Sequence, residues 1–193
     1  MHLILPKARP VLIGTPLDCL PLFFLAGPIQ GAGDWHQRMS SMLAAKIGDC
    51  IIVNPSRYDE THPDYHHRLE GPQLDERQTD WERYYLRQAA SAAPFGCLVF
   101  WLAAQMTERA DGNPYATDTR GELGEWRGHL MHEPNLRVVV GAEKTFPGLS
   151  VIARNFECAL GTHFPIYETM EETVSAAAVH TRNQHPLGTH ASI

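Results

Sequence analysis

Two rhythms of apolar residues alternate along the chain. Short unbroken apolar runs occur at Leu22-Phe23-Phe24-Leu25-Ala26, Cys50-Ile51-Ile52-Val53, Cys97-Leu98-Val99-Phe100-Trp101-Leu102 and Val138-Val139-Val140. Runs of this length without polar alternation are the mark of strands buried on both faces of a parallel sheet. Gly27-Pro28 and Asn54-Pro55 close the first two, as turn chemistry should. His163-Phe164-Pro165-Ile166-Tyr167 reads as a weaker fifth strand, and its proline places it at a sheet edge.

Helical spacing fills the intervals. Trp35, Met39, Met42, Leu43 and Ile47 recur three and four residues apart, with Asp34 in the N-cap position and Gly48 as the stop. Trp81, Tyr84, Tyr85, Leu86 and Ala89 give a broad apolar face to a helix from Gln78 to about Ala93. Further helices are predicted over Gly121 to about Met131, Leu149 to Leu160 and Glu168 to His180. The alternation predicts right-handed β-α-β units and an α/β fold: a doubly wound, mostly parallel, five-stranded sheet with helices on both faces. One domain spans 1–193. Residues 1–20 form an N-terminal extension in which Val11-Leu12-Ile13 either pairs at an edge or drapes over the core, and 181–193 form a polar C-terminal tail. Residues 56–75 are rich in His, Asp and Pro, follow neither period, and read as a long loop of the kind that is often functional.

Composition narrows the partners. The 193 residues are 44% hydrophobic, enough for one core, and the net charge of -6 offers no basic field for a nucleic-acid backbone. Cys19, Cys50, Cys97 and Cys158 form no C-x-x-C pair and read as reduced thiols. Prolines 10, 16 and 21 interrupt any signal-peptide core, and no apolar run has membrane-spanning length, so the expected setting is cytoplasmic, away from membranes.

The stretch richest in candidate chemistry is Thr119-Arg120-Gly121-Glu122-Leu123-Gly124. A polar connection carrying Asp111-Gly112-Asn113-Pro114 leads into it from the Cys97 strand, so Glu122 is expected in the first turn of a helix at the carboxyl end of that strand, where ligands bind open parallel sheets. There the helix dipole would favour its ionised form. The other reading is an exposed glutamate placed only to suit the dipole.

Together with Phe24-Leu25-Ala26-Gly27-Pro28-Ile29 and Trp35, Val53-Asn54-Pro55-Ser56-Arg57, Gln78 with Trp81-Glu82, and Phe100-Trp101, this stretch resembles the nucleoside 2-deoxyribosyltransferase-like family. The segments occur in that family's order over residues 22–141. The resemblance implies a flavodoxin-like fold, a homo-oligomer, and cleavage of the N-glycosidic bond of a nucleoside or nucleoside 5'-monophosphate, by transfer of the sugar to another base or by hydrolysis. It implies that Glu122 is the nucleophile and that an acidic residue of the Gln78 helix holds the sugar and assists proton transfer, a role that falls to Glu82 with Asp80 as the alternative. The chain departs from the family pattern at Ala89–Gly96, where an insertion stands and the usual acidic residue is missing.

The chemistry suits these residue types. Breaking a C1'–N bond builds oxocarbenium character on the sugar, which a carboxylate can stabilise or capture. It requires no metal or redox cofactor. Asp80 and Glu82, two residues apart, point to opposite sides of a helix, so one of them at most should enter a site. Gly27, Pro28 and Ile29 would line the pocket through a tight turn, with a plain loop as the other reading. Trp101 would either stack on a base or pack beneath the loop. Arg57 and Arg120 would meet a phosphate or a base edge, or serve as ordinary surface arginines, Arg120 alternatively orienting Glu122 or Asp118. His62, His66 and His67 read as loop histidines rather than zinc ligands, because Pro63 interrupts a helix and no third ligand is evident. A non-catalytic nucleotide-sensing module on the same fold is the main alternative. A flavin or dinucleotide protein is a more distant one, since neither G-x-G-x-x-G nor G-x-x-x-x-G-K-[ST] is present.

Overall fold

The structure, a computed structural model, describes residues 1–4, 20–56, 74–109 and 112–181, and of 74–77 the backbone only. In chain order the elements are β1 His2–Ile4, β2 Leu22–Ala26, α1 Trp35–Ile47, β3 Ile51–Val53, α2 Leu74–Arg87, β4 Gly96–Leu102, α3 Thr117–His132, β5 Val138–Ala142, α4 Leu149–Leu160, β6 Ile166–Tyr167 and α5 Met170–Ala178. The strands form one sheet in the order β1-β3-β2-β4-β5-β6, and every neighbouring pair is parallel. The expected five strands are thus six. The addition is β1, which pairs outside β3 with His2 opposite Ile51. It escapes the sequence because only Leu3, Ile4 and Leu5 lie between His2 and Pro6. Val11-Leu12-Ile13 and the tail beyond Thr181 fall outside the described residues.

The continuous apolar runs are explained by two cores, one on each face of the sheet. Leu22, Phe24, Leu98, Phe100, Leu102 and Val140 point to the face covered by Trp81 and Tyr85 of α2, Leu123 and Trp126 of α3, and Phe156 of α4. Phe23, Leu25, Cys97, Val99, Trp101 and Val139 point to the opposite face, against Trp35 and Met39 of α1 and Met170 and Val174 of α5. Successive strand residues serve opposite layers, as the pleat requires. Neither parity can therefore be polar.

Two boundaries shift in ways that matter for the site. Both α2 and α3 begin four residues earlier than the apolar period suggests, at Leu74 and Thr117. Gln88–Ala92, within the stretch where an insertion is expected, form a π-helical turn at the end of α2. Such a turn accommodates an added residue by widening the helix. Arg137 satisfies the carbonyls there: its guanidinium donates to Ala89, Ala93 and Pro94, and its backbone N–H donates to Ala90 at 2.9 Å. Cys50, Cys97 and Cys158 are unpaired. Among the described residues no helix is long and apolar enough to cross a membrane.

Candidate active site

The sheet order creates a switch point. β3 lies on one side of β2 and β4 on the other, and in open parallel sheets ligands bind beside such a reversal, at the carboxyl ends of the strands. α3 starts at the carboxyl end of β4, held by its approach. Tyr115 donates its hydroxyl to the carbonyls of Ala103 at 2.7 Å and Ala104 at 3.1 Å, while the Ala104 N–H donates to Glu143 at 2.9 Å. Ala116, just before the helix, takes the left-handed conformation with φ of 57°, a strained geometry for a residue with a side chain.

An open cleft of about 670 Å³ runs between α2 and the first half of α3. Gln78, Glu82 and Arg83 line it from α2, and Asp118, Glu122 and Glu125 from α3. Each helix turns its apolar stripe inward. Trp81 and Tyr85 meet edge to face at 5.2 Å, and Trp81 lies 6.3 Å from Phe24 of β2. Thr119, Leu123, Trp126 and Leu130 bury the corresponding face of α3. The polar flanks left over confront each other, and half of the polar side chains that line the cleft are carboxylates. Within α3, Asp118, Glu122 and Glu125 follow helical spacing and share a side.

Glu122 is half-buried, and its carboxyl is pushed up from the ordinary 4.5 to about 8. Burial is the main cause, followed by the charges of Glu82, Asp118 and Glu125, with Arg83 pulling weakly the other way. This overturns the expectation that a helix start would hold Glu122 ionised. The residue is in the second turn of α3 rather than the first, where the dipole has faded, and like charges outweigh what remains. Glu82 accepts a 2.6 Å hydrogen bond from Gln78 Nε2, one turn earlier on α2. Gln78 is only 5% exposed, and its Oε1 has no hydrogen-bond partner among the described residues. Arg83 is paired with Glu125 at 3.6 Å.

The remaining candidates are dispersed. Asp80 is exposed and lies apart from the cleft, because α2 is already regular there and only Glu82 turns inward. Arg120 points away from Glu122. It donates to the Pro147 carbonyl at 2.6 Å and stacks over Phe146 at 5.0 Å, in a separate groove of about 350 Å³ between α3 and α4. Trp101 is 2% exposed and packs in the α1 and α5 core, on the other face of the sheet, so it offers no stacking surface to the cleft. Gly27, Pro28 and Ile29 also fall outside the cleft lining. Their turn is fastened to α1 by Trp35 Nε1, which donates to the Pro28 carbonyl at 2.7 Å. Gly27 has φ of 153°, and a Cβ there would come within 2.7 Å of Trp35 and closer still to the Trp101 carbonyl. Its freedom serves packing rather than approach to a ligand. Arg57 and the histidines at 62, 66 and 67 lie outside the described residues.

Sequence reasoning left Arg83 and Glu125 unassigned and treated Asp118 as a loop residue. The spacing 118, 122, 125 was the available signal, hidden by starting the helix at Gly121. Gly121 itself borders the cleft, and a Cβ added there would meet nothing within 4 Å. Among the described residues no group of three His, Cys, Asp or Glu side chains is placed to hold a metal ion. No protein-family model matches the chain, and no curated protein matches its sequence.

Proposed function

We propose that the protein cleaves the N-glycosidic bond of a nucleoside, with Glu122 as the nucleophile and Glu82 as its partner. The observation that carries this reading is the meeting of these two carboxyls, from facing helices, in one open cleft, with the first pushed up to about 8. A carboxyl that binds its proton more tightly than usual, facing a second carboxyl across a cleft, is equipment for glycosidic cleavage. The strand order of β3-β2-β4-β5-β6 supports a flavodoxin-like fold, and the two helices that line the cleft, α2 and α3, follow β3 and β4 in the chain, whose carboxyl ends are where such folds bind ligands. The resemblance to the nucleoside 2-deoxyribosyltransferase-like family supports the same reaction class.

In this mechanism one Glu122 carboxylate oxygen bonds to C1' as the C1'–N bond breaks, and the electron pair of that bond leaves with the base. A neutral base needs one proton as it departs. Glu122 must shed one proton to attack, so the count balances, and Glu82 faces the same cleft and can carry it. Water or a second base then breaks the glycosyl ester and restores Glu122. The test is chromatographic detection of free base from ribo- and deoxyribonucleosides and their 5'-monophosphates, with and without an acceptor base. Release that Glu122→Gln abolishes supports the reading, and dependence on acceptor distinguishes transfer from hydrolysis. Binding without release, unaltered in Glu122→Gln, would indicate a sensing module instead.

A further inference from the structure

We propose that the cleft selects N-glycosides whose base carries a positive charge and whose sugar carries no 5'-phosphate. The inference rests on the glycosidic reading above and deepens it by naming the substrate class. Its basis is the inventory of groups between α2 and α3. Glu82, Asp118, Glu122 and Glu125 line the cleft, and Arg83 is the one cation among its described lining residues, already paired with Glu125 at 3.6 Å. Arg120, a phosphate contact in the sequence reading, donates instead to the Pro147 carbonyl. The buried Gln78 adds an acceptor, Oε1, with no partner among the described residues. The described wall is thus rich in acceptors and negative charge. It repels a phosphate and attracts a donor-bearing cation.

A cationic base also resolves two requirements of the chemistry. When the C1'–N bond breaks, its electron pair neutralises the positively charged nitrogen, so the base departs neutral and needs no acid. Before that, the positive charge beside Glu122 favours the ionised carboxylate. The substrate thereby helps to generate the nucleophile that attacks it.

The experiment uses the full chain with nicotinamide riboside as the cationic nucleoside, inosine as the neutral one and nicotinamide mononucleotide as the phosphorylated one, measuring both binding and base release. A cationic base also leaves more readily in water, so the deciding readout is the change in the cationic-to-neutral ratio of kcat/KM between wild type and Glu125→Gln or Asp118→Asn, and between low and high salt. Loss of folding lowers both rates and leaves the ratio in place, as does intrinsic lability. The proposal expects the ratio to fall at least threefold in each variant and in high salt, and the mononucleotide to react at least tenfold less efficiently than the riboside. An unmoved ratio, or a mononucleotide used as well as the riboside, overturns the inference while Glu122-dependent release from inosine leaves the glycosidic reading standing. Absence of release from all three compounds removes the glycosidic reading. In that case tighter binding of the riboside than of inosine, weakened in Glu125→Gln, retains the ligand class, and equal binding removes it as well.

Discussion

Glu82 of α2 and Glu122 of α3 act on each other across one cleft, the charge of the first adding to burial in pushing the carboxyl of the second up to about 8. Neither helix alone produces this. The pair exists because the apolar stripes of both helices are spent on the sheet, leaving their acidic flanks opposed.

The first consequence concerns rate and pH. With Glu122 titrating near 8, about one molecule in ten carries the ionised nucleophile at neutral pH. For a nucleoside with a cationic base, which needs no proton to leave, kcat/KM should rise about tenfold per pH unit in the acid range and level off above that value, whereas a neutral base, which takes the proton that Glu122 sheds, should lose kcat/KM above it. Glu82→Gln removes the second-largest cause of the shift, so the bend in the profile should move to lower pH. A profile that falls over the same range would make Glu122 an acid in the rate-limiting step.

Stability should carry the opposite signature. The proton held by folded Glu122 is bound more tightly than in the unfolded chain, so its contribution is complete below the ordinary 4.5 and is lost as pH rises through about 8. Between those limits wild type should lose stability relative to Glu122→Gln, by roughly 2 kcal/mol after allowance for solvent near the carboxyl. Thermal unfolding of the two proteins across that range measures the difference. Parallel curves would mean that Glu122 is no more buried than a surface glutamate.

Gly121 separates shape from stability. It is helical, exposed and borders the cleft, with open space where a side chain would go. Gly121→Ala should stabilise the protein by about 0.5–1 kcal/mol, because alanine restricts the unfolded chain and favours helix. Gly121→Leu should keep the fold and raise KM severalfold by filling the cleft. An unchanged KM would place the substrate elsewhere.

Trp101 and Gly27 should behave as packing residues. Trp101→Ala is expected to cost about 3–5 kcal/mol through the cavity it leaves, and Gly27→Ala about 2 kcal/mol through backbone strain and contact with Trp35 and Trp101. Trp101→Phe should leave KM for any nucleoside unaltered. Denaturant unfolding and steady-state kinetics on the same preparations check both parts.

These residues also show what the sequence could and could not reveal. The strands were legible because burial on both faces forbids polar alternation, so each run stood out uninterrupted. The helix starts were not, because Thr117-Asp118-Thr119-Arg120 is polar and carries almost no apolar period, and that error concealed Asp118 and Glu125 as neighbours of Glu122. Glu122 and Glu82 could be singled out by motif and by position after a strand. The fate of Arg120 could not, since it depends on Phe146 and Pro147, residues distant in the chain. Trp101 was ambiguous for a related reason: strand parity assigns it to a face, but only the helices packed there decide which face holds the cleft.

The central claim, that the Glu122 carboxylate bonds to C1', is tested most directly by trapping. A 2'-fluorinated nucleoside slows breakdown of a glycosyl ester, so incubation followed by proteolysis and mass spectrometry should find the peptide bearing Glu122 heavier by one fluorinated sugar residue, and unmodified in Glu122→Gln. Base release that persists in Glu122→Gln, or a sugar attached to a different residue, would contradict it.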